Sequence, residues 1–205
     1  MNPGRPAVFL DRDGVLIEEV GYLADPRQVV LIPGAGAAVA AINRAGIPVV
    51  LVTNQAGIAR GYLSEARLAE IHQRLSALLA EEGGKIDAIY YCPHHPTEGI
   101  APYRLQCSCR KPQPGMLLQA ATELAVDLPR STMIGDKLSD LEAGVRAGCR
   151  SILVRTGYGG ETALRVGRLA EPPVLVAASL AEAVAYCLSP FDDSEHGWGG
   201  PKRDF

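Results

Sequence analysis

The chain has 205 residues, 47% hydrophobic and 21% charged, enough apolar side chain for a sizeable core and too much for a disordered chain. Its 20 Lys and Arg against 23 Asp and Glu leave a net charge of −3, without the basic surplus that general nucleic-acid binding needs. No apolar run approaches the ~18 residues of a membrane span, and residues 1–10 lack the basic-then-apolar layout of a secretory signal, so a cytoplasmic protein is expected.

In chain order, the apolar run 7–10 reads as a strand that ends at Asp11. The long mixed stretch 13–32 is expected to form a flap or hairpin over the strand ends. An Ala-rich helix follows at 35–45 and stops at Gly46; a β-branched strand at 48–52 then ends at Thr53. Ser64 caps a helix running to Glu81, with Glu65 in its first turn. Leu68, Ile71, Leu75, Leu78 and Leu79 form its apolar face, and Gly83-Gly84 closes it. His72, beside that face, reads as a partly buried histidine. A strand at 86–91 leads into a proline-rich loop, 93–113, and then a helix at 115–125. Strand 132–134, helix 138–147, strands 151–154 and 174–176 and helix 180–188 complete the pattern. Continuous apolar strands alternating with helices predict a doubly wound, mainly parallel α/β sheet whose ligands bind beyond the carboxyl ends of the strands. A single domain over 1–191 is expected, followed by a mobile tail, 192–205.

Chemistry-bearing residues gather at those strand ends. Asp11-Arg12-Asp13-Gly14 follows the first strand; in extended chain its two carboxylates point to one side, one placed to attack and the other to move protons. An ordinary Asp-Gly turn also accounts for the tetrapeptide alone. Thr53-Asn54-Gln55-Ala56-Gly57 offers a hydroxyl and backbone N–H groups to phosphate oxygens. Gly135-Asp136-Lys137 places a carboxylate where it can join Asp11 around a hard cation such as Mg²⁺, while Asp140 reads as a helix cap. Arg110-Lys111-Pro112 sets two cations at the end of a constrained loop, suited to a phosphate; a solvated basic pair is the plainer reading.

Five cysteines, an odd number, argue against a disulfide framework. Cys92-Pro93-His94 and Cys107-Ser108-Cys109 supply three thiolates and one imidazole, a donor set for a closed, structural Zn²⁺ site with no position left for water. His95 competes with His94, and alternation with Cys92 favours His94. Free buried thiols are the alternative. Cys149 and Cys187 read as plain buried residues.

In sequence, the Asp pair, Thr53, Lys111 and Asp136 resemble the motif set of the haloacid dehalogenase superfamily of phosphatases over about residues 7–157. With Thr53 to Gly61, Tyr90 to Pro96 and the Cys107 to Pro112 segment added, the chain is similar to the heptose-bisphosphate phosphatases of that superfamily. These are close to its histidinol-phosphatase branch, which shares the zinc loop. The resemblance implies a Mg²⁺-dependent phosphatase with a minimal cap, removing the 7-phosphate of a heptose 1,7-bisphosphate for lipopolysaccharide core synthesis. It implies Asp11 as nucleophile, Asp13 as general acid and base, and Thr53 and Lys111 as stabilisers of the transferring phosphoryl group. Mg²⁺ falls to Asp11, Asp13 through its backbone carbonyl, and Asp136; Zn²⁺ falls to Cys92, His94, Cys107 and Cys109. Glu19, Val20, Gly21, Tyr22, Thr53, Asn54, Gln55, Ala56, Arg110, Lys111 and Lys137 match substrate-contacting positions. The expected partner is a small sugar phosphate handled by a monomer, with neither nucleic acid nor membrane. Val15 departs from the family, where a Thr usually follows the Asp-x-Asp-Gly; its missing hydroxyl removes a bond that would orient Asp13. Histidinol phosphate or another small phosphoester is the rival substrate. A zinc-stapled binding module with a decayed phosphatase site is the rival from another class.

Overall fold

The apolar runs form one sheet of six parallel strands in a computed structural model that describes residues 4–189. The strands are β1 (Val8–Leu10), β2 (Val49–Asn54), β3 (Ala88–Cys92), β4 (Thr132–Gly135), β5 (Arg150–Val154) and β6 (Leu175–Ala177). Their spatial order is β3-β2-β1-β4-β5-β6, so β1 lies inside the sheet, with β2 on one side and β4 on the other. The segment 192–205, expected to be a mobile tail, lies outside the described residues.

Side chains alternate across each strand, and the two faces feed two cores. Val8 and Leu10 point into a cluster shared with Val39 and Ile42 of α1 (Ala35–Arg44), Ile71, Leu75 and Leu79 of α3 (Glu65–Glu81), and Val184 of α7 (Leu180–Leu188). Ala7 and Phe9 point the other way, onto Met116, Leu117 and Ala120 of α4 (Gly115–Leu124) and Ala143 and Ala147 of α5 (Leu138–Ala147). The doubly wound arrangement expected from the strand–helix alternation is thus present. Ser64 caps α3 as the sequence indicates, its hydroxyl accepting the Arg67 N–H at 3.1 Å. His72 is buried on that helix, and burial pushes its imidazole down to about 3, so it is neutral.

Two short helices go beyond the elements expected from the sequence: α2 (Ala56–Ala59) and α6 (Gly159–Ala163). Each is about one turn long, too short to carry a hydrophobic period. The segment 13–32 is a flap closed by an isolated antiparallel bridge between Ile17 and Leu31 and by two backbone bonds, Glu18 N–H to Val30 and Ile32 N–H to Leu16, both 3.0 Å. Leu16, Ile17, Leu23 and Val29 root the flap in the core, and Val15 is fully buried beside them. Among the described residues, no helix is long and apolar enough to cross a membrane.

Strand register decides where the chemistry goes. Leu10 pairs with Leu51 and with Ile134, so Asp11, Thr53 and Asp136 all emerge within two residues of one level at the carboxyl edge.

Candidate active site

Asp11 leaves β1 with its N–H bonded to the Ile134 carbonyl at 3.1 Å, which fixes its backbone before any side chain acts. Its carboxylate accepts the Arg12 N–H at 2.8 Å and lies 2.9 Å from the Lys111 ammonium. Lys111 is almost wholly buried, and its three N–H donors face three acceptors: Asp11, Asp140 at 2.8 Å and the Val52 carbonyl at 2.7 Å. Asn54 places Lys111 by two reciprocal bonds to its backbone, both 3.0 Å. Burial works against the Asp11 charge, but Lys111 and Lys137 outweigh it and hold the carboxyl below the usual carboxylate value. Burial likewise opposes the Lys111 charge, and Asp11 and Asp140 more than restore it.

Asp13 has a different environment. Burial raises its pKa further than the Arg12 guanidinium lowers it, and the Asp11 charge adds to the rise. Arg12 reaches both Asp13 oxygens at 3.0–3.1 Å, and Gln55 donates to Asp13 at 3.1 Å while also donating to the Thr53 hydroxyl at 2.8 Å. Arg12 and Gln55 therefore orient Asp13 although Val15 brings no hydroxyl. Two carboxyl groups two residues apart are pushed in opposite directions, the condition that separates a nucleophile from a proton donor.

Asp136 is fully buried behind them. One oxygen accepts the Tyr158 N–H at 2.8 Å. Gly14 and Gly157, both at positive φ, close on that oxygen; a Cβ on either would lie within 2.4 Å of it. The other oxygen has no hydrogen-bond partner, although the Lys137 ammonium stands 3.4 Å away. Burial pushes this carboxyl up to about 7 despite Lys137, with the Asp11 and Asp140 charges adding to the effect. Carboxylate oxygens of Asp11, Asp136 and Asp140 lie within 4.8 Å of one another. An oxygen-only set with an unpartnered buried oxygen suits a small hard cation.

A cleft of about 400 Å³ opens above these groups. Asp11, Asp13, Asn54, Gln55, Ala56, Arg110, Lys111 and Lys137 line it, together with Glu19, Gly21 and Tyr22 of the flap. Glu19 pairs with Lys137 at 3.0 Å. Thr53 and Asp136 lie buried beneath the lining, and Val20 faces solvent instead of the cleft. Asp13 contributes its carboxylate to the Arg12–Gln55 network, so the carboxylates that cluster are those of Asp11, Asp136 and Asp140.

Beside the cleft, Cys92 at the end of β3 meets His94, Cys107 and Cys109. Cys92 Sγ lies 3.6 Å from both Cys107 Sγ and His94 Nδ1; Cys109 Sγ lies 3.3 Å from Cys107 Sγ and 3.4 Å from His94 Nδ1. The corners of a tetrahedral thiolate zinc site stand about 3.8 Å apart, close to these edges. Cys92, then Cys107 and His94, pull Cys109 down to about 5 against its burial, and Cys92 itself is pushed up by Cys109 and by burial. His95 is outside the cluster, its Nδ1 accepting the Glu98 N–H at 2.9 Å. Arg110, next to Cys109, donates to the His94 carbonyl at 3.2 Å, so the cluster sets its position.

The chain matches the haloacid dehalogenase-like hydrolase family over residues 8–77 and a HAD-hydrolase-like family over residues 108–183. It is 49% identical to the D-glycero-beta-D-manno-heptose-1,7-bisphosphate 7-phosphatase of Vibrio cholerae, over 75% of this chain and 83% of that one. It is 44% identical to the D-glycero-D-manno-heptose-1,7-bisphosphate 7-phosphatase of Thermosynechococcus vestitus, over 89% and 95%. The crystal structure of D,D-heptose 1,7-bisphosphate phosphatase from B. bronchiseptica, complexed with magnesium and phosphate, superposes with a TM-score of 0.80 at 39% identity, covering 89% of this chain and 98% of that one. The chain belongs to the heptose-bisphosphate phosphatase family.

For a heptose-bisphosphate phosphatase, the sequence motifs locate most of the cleft. In the sequence Asp140 reads only as a cap. It does cap α5, accepting the Lys137 N–H at 3.0 Å, but its other oxygen serves Lys111. Its position four residues after Asp136 was the available signal. Gly57 of the Thr53–Gly57 segment lines the cleft too, and Leu23, Leu63, Ser139 and Tyr158 line it from outside the motifs.

Replacing Lys111 by Met keeps the length of the side chain and removes the cation shared by Asp11 and Asp140. Stranding a buried charge costs about 3–5 kcal/mol. Denaturant titration should show a loss of that order, and an unchanged midpoint would show that the carboxylates are not charged in the folded protein.

Proposed function

We propose that this protein is a Mg²⁺-dependent phosphatase that removes the 7-phosphate of a heptose 1,7-bisphosphate through an aspartyl-phosphate on Asp11. The observation that carries this reading is the split between Asp11, kept ionised by Lys111, and Asp13, pushed toward its protonated form in the same cleft. Named relatives at 42–49% identity supply the substrate.

In this mechanism an Asp11 oxygen attacks phosphorus in line with the sugar oxygen. Asp13 gives its proton to that leaving oxygen, then takes one from the water that attacks the phospho-aspartate; such transfers contribute about 10²–10⁴-fold. Lys111 and the Thr53 hydroxyl balance charge on the transferring phosphoryl group, where most of the catalysis of phosphoryl transfer lies. Asp11 and Asp136, with the Asp13 carbonyl, would hold Mg²⁺, which would neutralise phosphate oxygens when bound, while Asp140, its oxygens taken by Lys111 and the Lys137 N–H, would keep Lys111 in place beside it. The unpartnered Asp136 oxygen supports that fit. Arg110, whose fork suits a phosphate, and Lys137, at the rim beside Glu19, are placed to meet the rest of the substrate. The enzyme would act as a monomer in the cytoplasm, supplying heptose for lipopolysaccharide core precursors.

Phosphate release from heptose 1,7-bisphosphate, other sugar phosphates and histidinol phosphate tests the substrate; preference for histidinol phosphate would overturn it. Asp13→Asn tests the proton transfer. It should lose far more activity on a sugar phosphate than on an aryl phosphate whose leaving group needs no proton, and equal losses would remove Asp13 from that role.

We further propose that Cys92, His94 Nδ1, Cys107 and Cys109 bind a structural Zn²⁺. Metal analysis of freshly purified protein should find about one Zn²⁺ per chain that survives mild chelation. Cys107→Ser should loosen Arg110 and Lys111 and depress turnover from outside the cleft. Protein purified without Zn²⁺ yet fully active would reject the site.

A further inference from the structure

We propose that Tyr158 contacts the substrate directly, its ring forming the wall on which the apolar C–H face of the sugar packs, across the cleft from Tyr22. This rests on the sugar-bisphosphate reading above and names a residue that selects the sugar.

Sheet order separates the two rings. Tyr22 is held on the β2 side: its ring lies 4.7 Å from that of Tyr62, the Arg60 guanidinium stands 5.4 Å from its centroid, and it packs beside Gly57. Tyr158 follows β5, on the far side of β1, at the start of α6. The lining residues that follow the neighbouring strand β4 are Lys137, Ser139 and Asp140, all polar, so among those that follow β4 and β5 Tyr158 provides the apolar surface.

Tyr158 has little to do for the core. It is 45% exposed, against 48% for Tyr22, and both line the same cleft. Its backbone is nevertheless fixed. The Tyr158 N–H is the donor to the buried Asp136 oxygen, and the preceding Gly157 is pressed against Asp136 and Gly14. The Lys137 ammonium lies 5.0 Å from the ring centroid and is itself held by Glu19 at 3.0 Å. A ring anchored at its root and steadied by a cation loses little freedom when a ligand covers it.

The chemistry of the cleft divides accordingly. Cations and carboxylates at its base serve phosphate. A sugar also carries patches of C–H surface, which pack on aromatic rings, and hydroxyls that suit a phenol at the edge. Two half-exposed tyrosines flanking a phosphate site match that combination.

The test compares heptose 1,7-bisphosphate with glycerol phosphate, which has the phosphoester but no ring, in wild type, Tyr158→Ala and Tyr158→Phe. Loss of an apolar pocket contact costs roughly tenfold or more. Tyr158→Ala should lose at least that in kcat/KM on the heptose substrate, through KM, and markedly less on glycerol phosphate. Tyr158→Phe keeps the ring and should recover most of the heptose activity. Equal losses on both substrates, or a fall in kcat with KM unchanged, would make the ring a support for Lys137 and overturn the inference. Wild type inactive on heptose 1,7-bisphosphate would overturn the functional reading, and this inference with it; that outcome needs no variant and so is distinct.

Discussion

A single buried ammonium holds the site together. Lys111 sits among groups that would be intolerable without it: the Asp11 and Asp140 carboxyls lie within 3 Å of its nitrogen, and the Val52 carbonyl takes its third proton. Removing an ion from water costs several kcal/mol, and that cost is met only when every donor and acceptor is matched. The match here is complete on the Lys111 side. It also spans the molecule, since Asp11 ends β1, Val52 belongs to β2, Asp140 opens α5 and Lys111 itself arrives from the loop that carries Cys107 and Cys109. Strand register, helix start and loop position must all be right before the four groups meet.

From that contact the split between Asp11 and Asp13 follows. Lys111 reaches Asp11 and leaves Asp13 to Arg12, whose guanidinium is shared with Gln55. Geometry alone gives the two carboxyls different partners although they are adjacent but one in sequence. Asp136 is third in this order. With no cation of its own beyond a half-buried Lys137, its free oxygen has no hydrogen-bond partner, and two glycines crowd its other oxygen. The same crowding that destabilises Asp136 as a lone carboxylate makes it a ready ligand.

Much of this was legible in the sequence. Val49 to Val52 and Thr132 to Ile134 read as buried strands because central parallel strands are apolar on both faces. Asp11, Thr53, Asp136 and Lys111 stood out because strand ends and constrained loops are where such residues gain a purpose. What remained hidden was relational. Asp140 has the residue type and position of a cap, and its second role depends on a lysine 29 positions earlier in the chain. Val15 brings no hydroxyl to Asp13, and which groups orient that carboxylate instead, Arg12 beside it and Gln55 at the end of β2, depends on the fold. α2 and α6 were too short for periodicity, and Tyr158 follows a strand end as an isolated aromatic with no motif around it. His94 and His95 were separable only by alternation with Cys92, and the structure puts the first among the thiols and the second on the Glu98 N–H.

The rim of the cleft is built differently from its base. The base is made of strand ends and fixed by the sheet ladder. The rim is made of the flap and the Cys/His loop, neither of which belongs to the sheet, and Arg60 joins them. Its guanidinium lies over Tyr22 of the flap, pairs with Glu98 at 2.9 Å and approaches His95 Nε2 at 3.5 Å. Tyr103 ties the Cys/His loop to the start of α3, donating to Glu65. Side-chain contacts of this kind can change one at a time without disturbing the strands beneath. The strand-end carboxylates therefore rest on the part of the structure that tolerates least change and the rim on the part that tolerates most, so chains sharing such a base are free to differ at the rim.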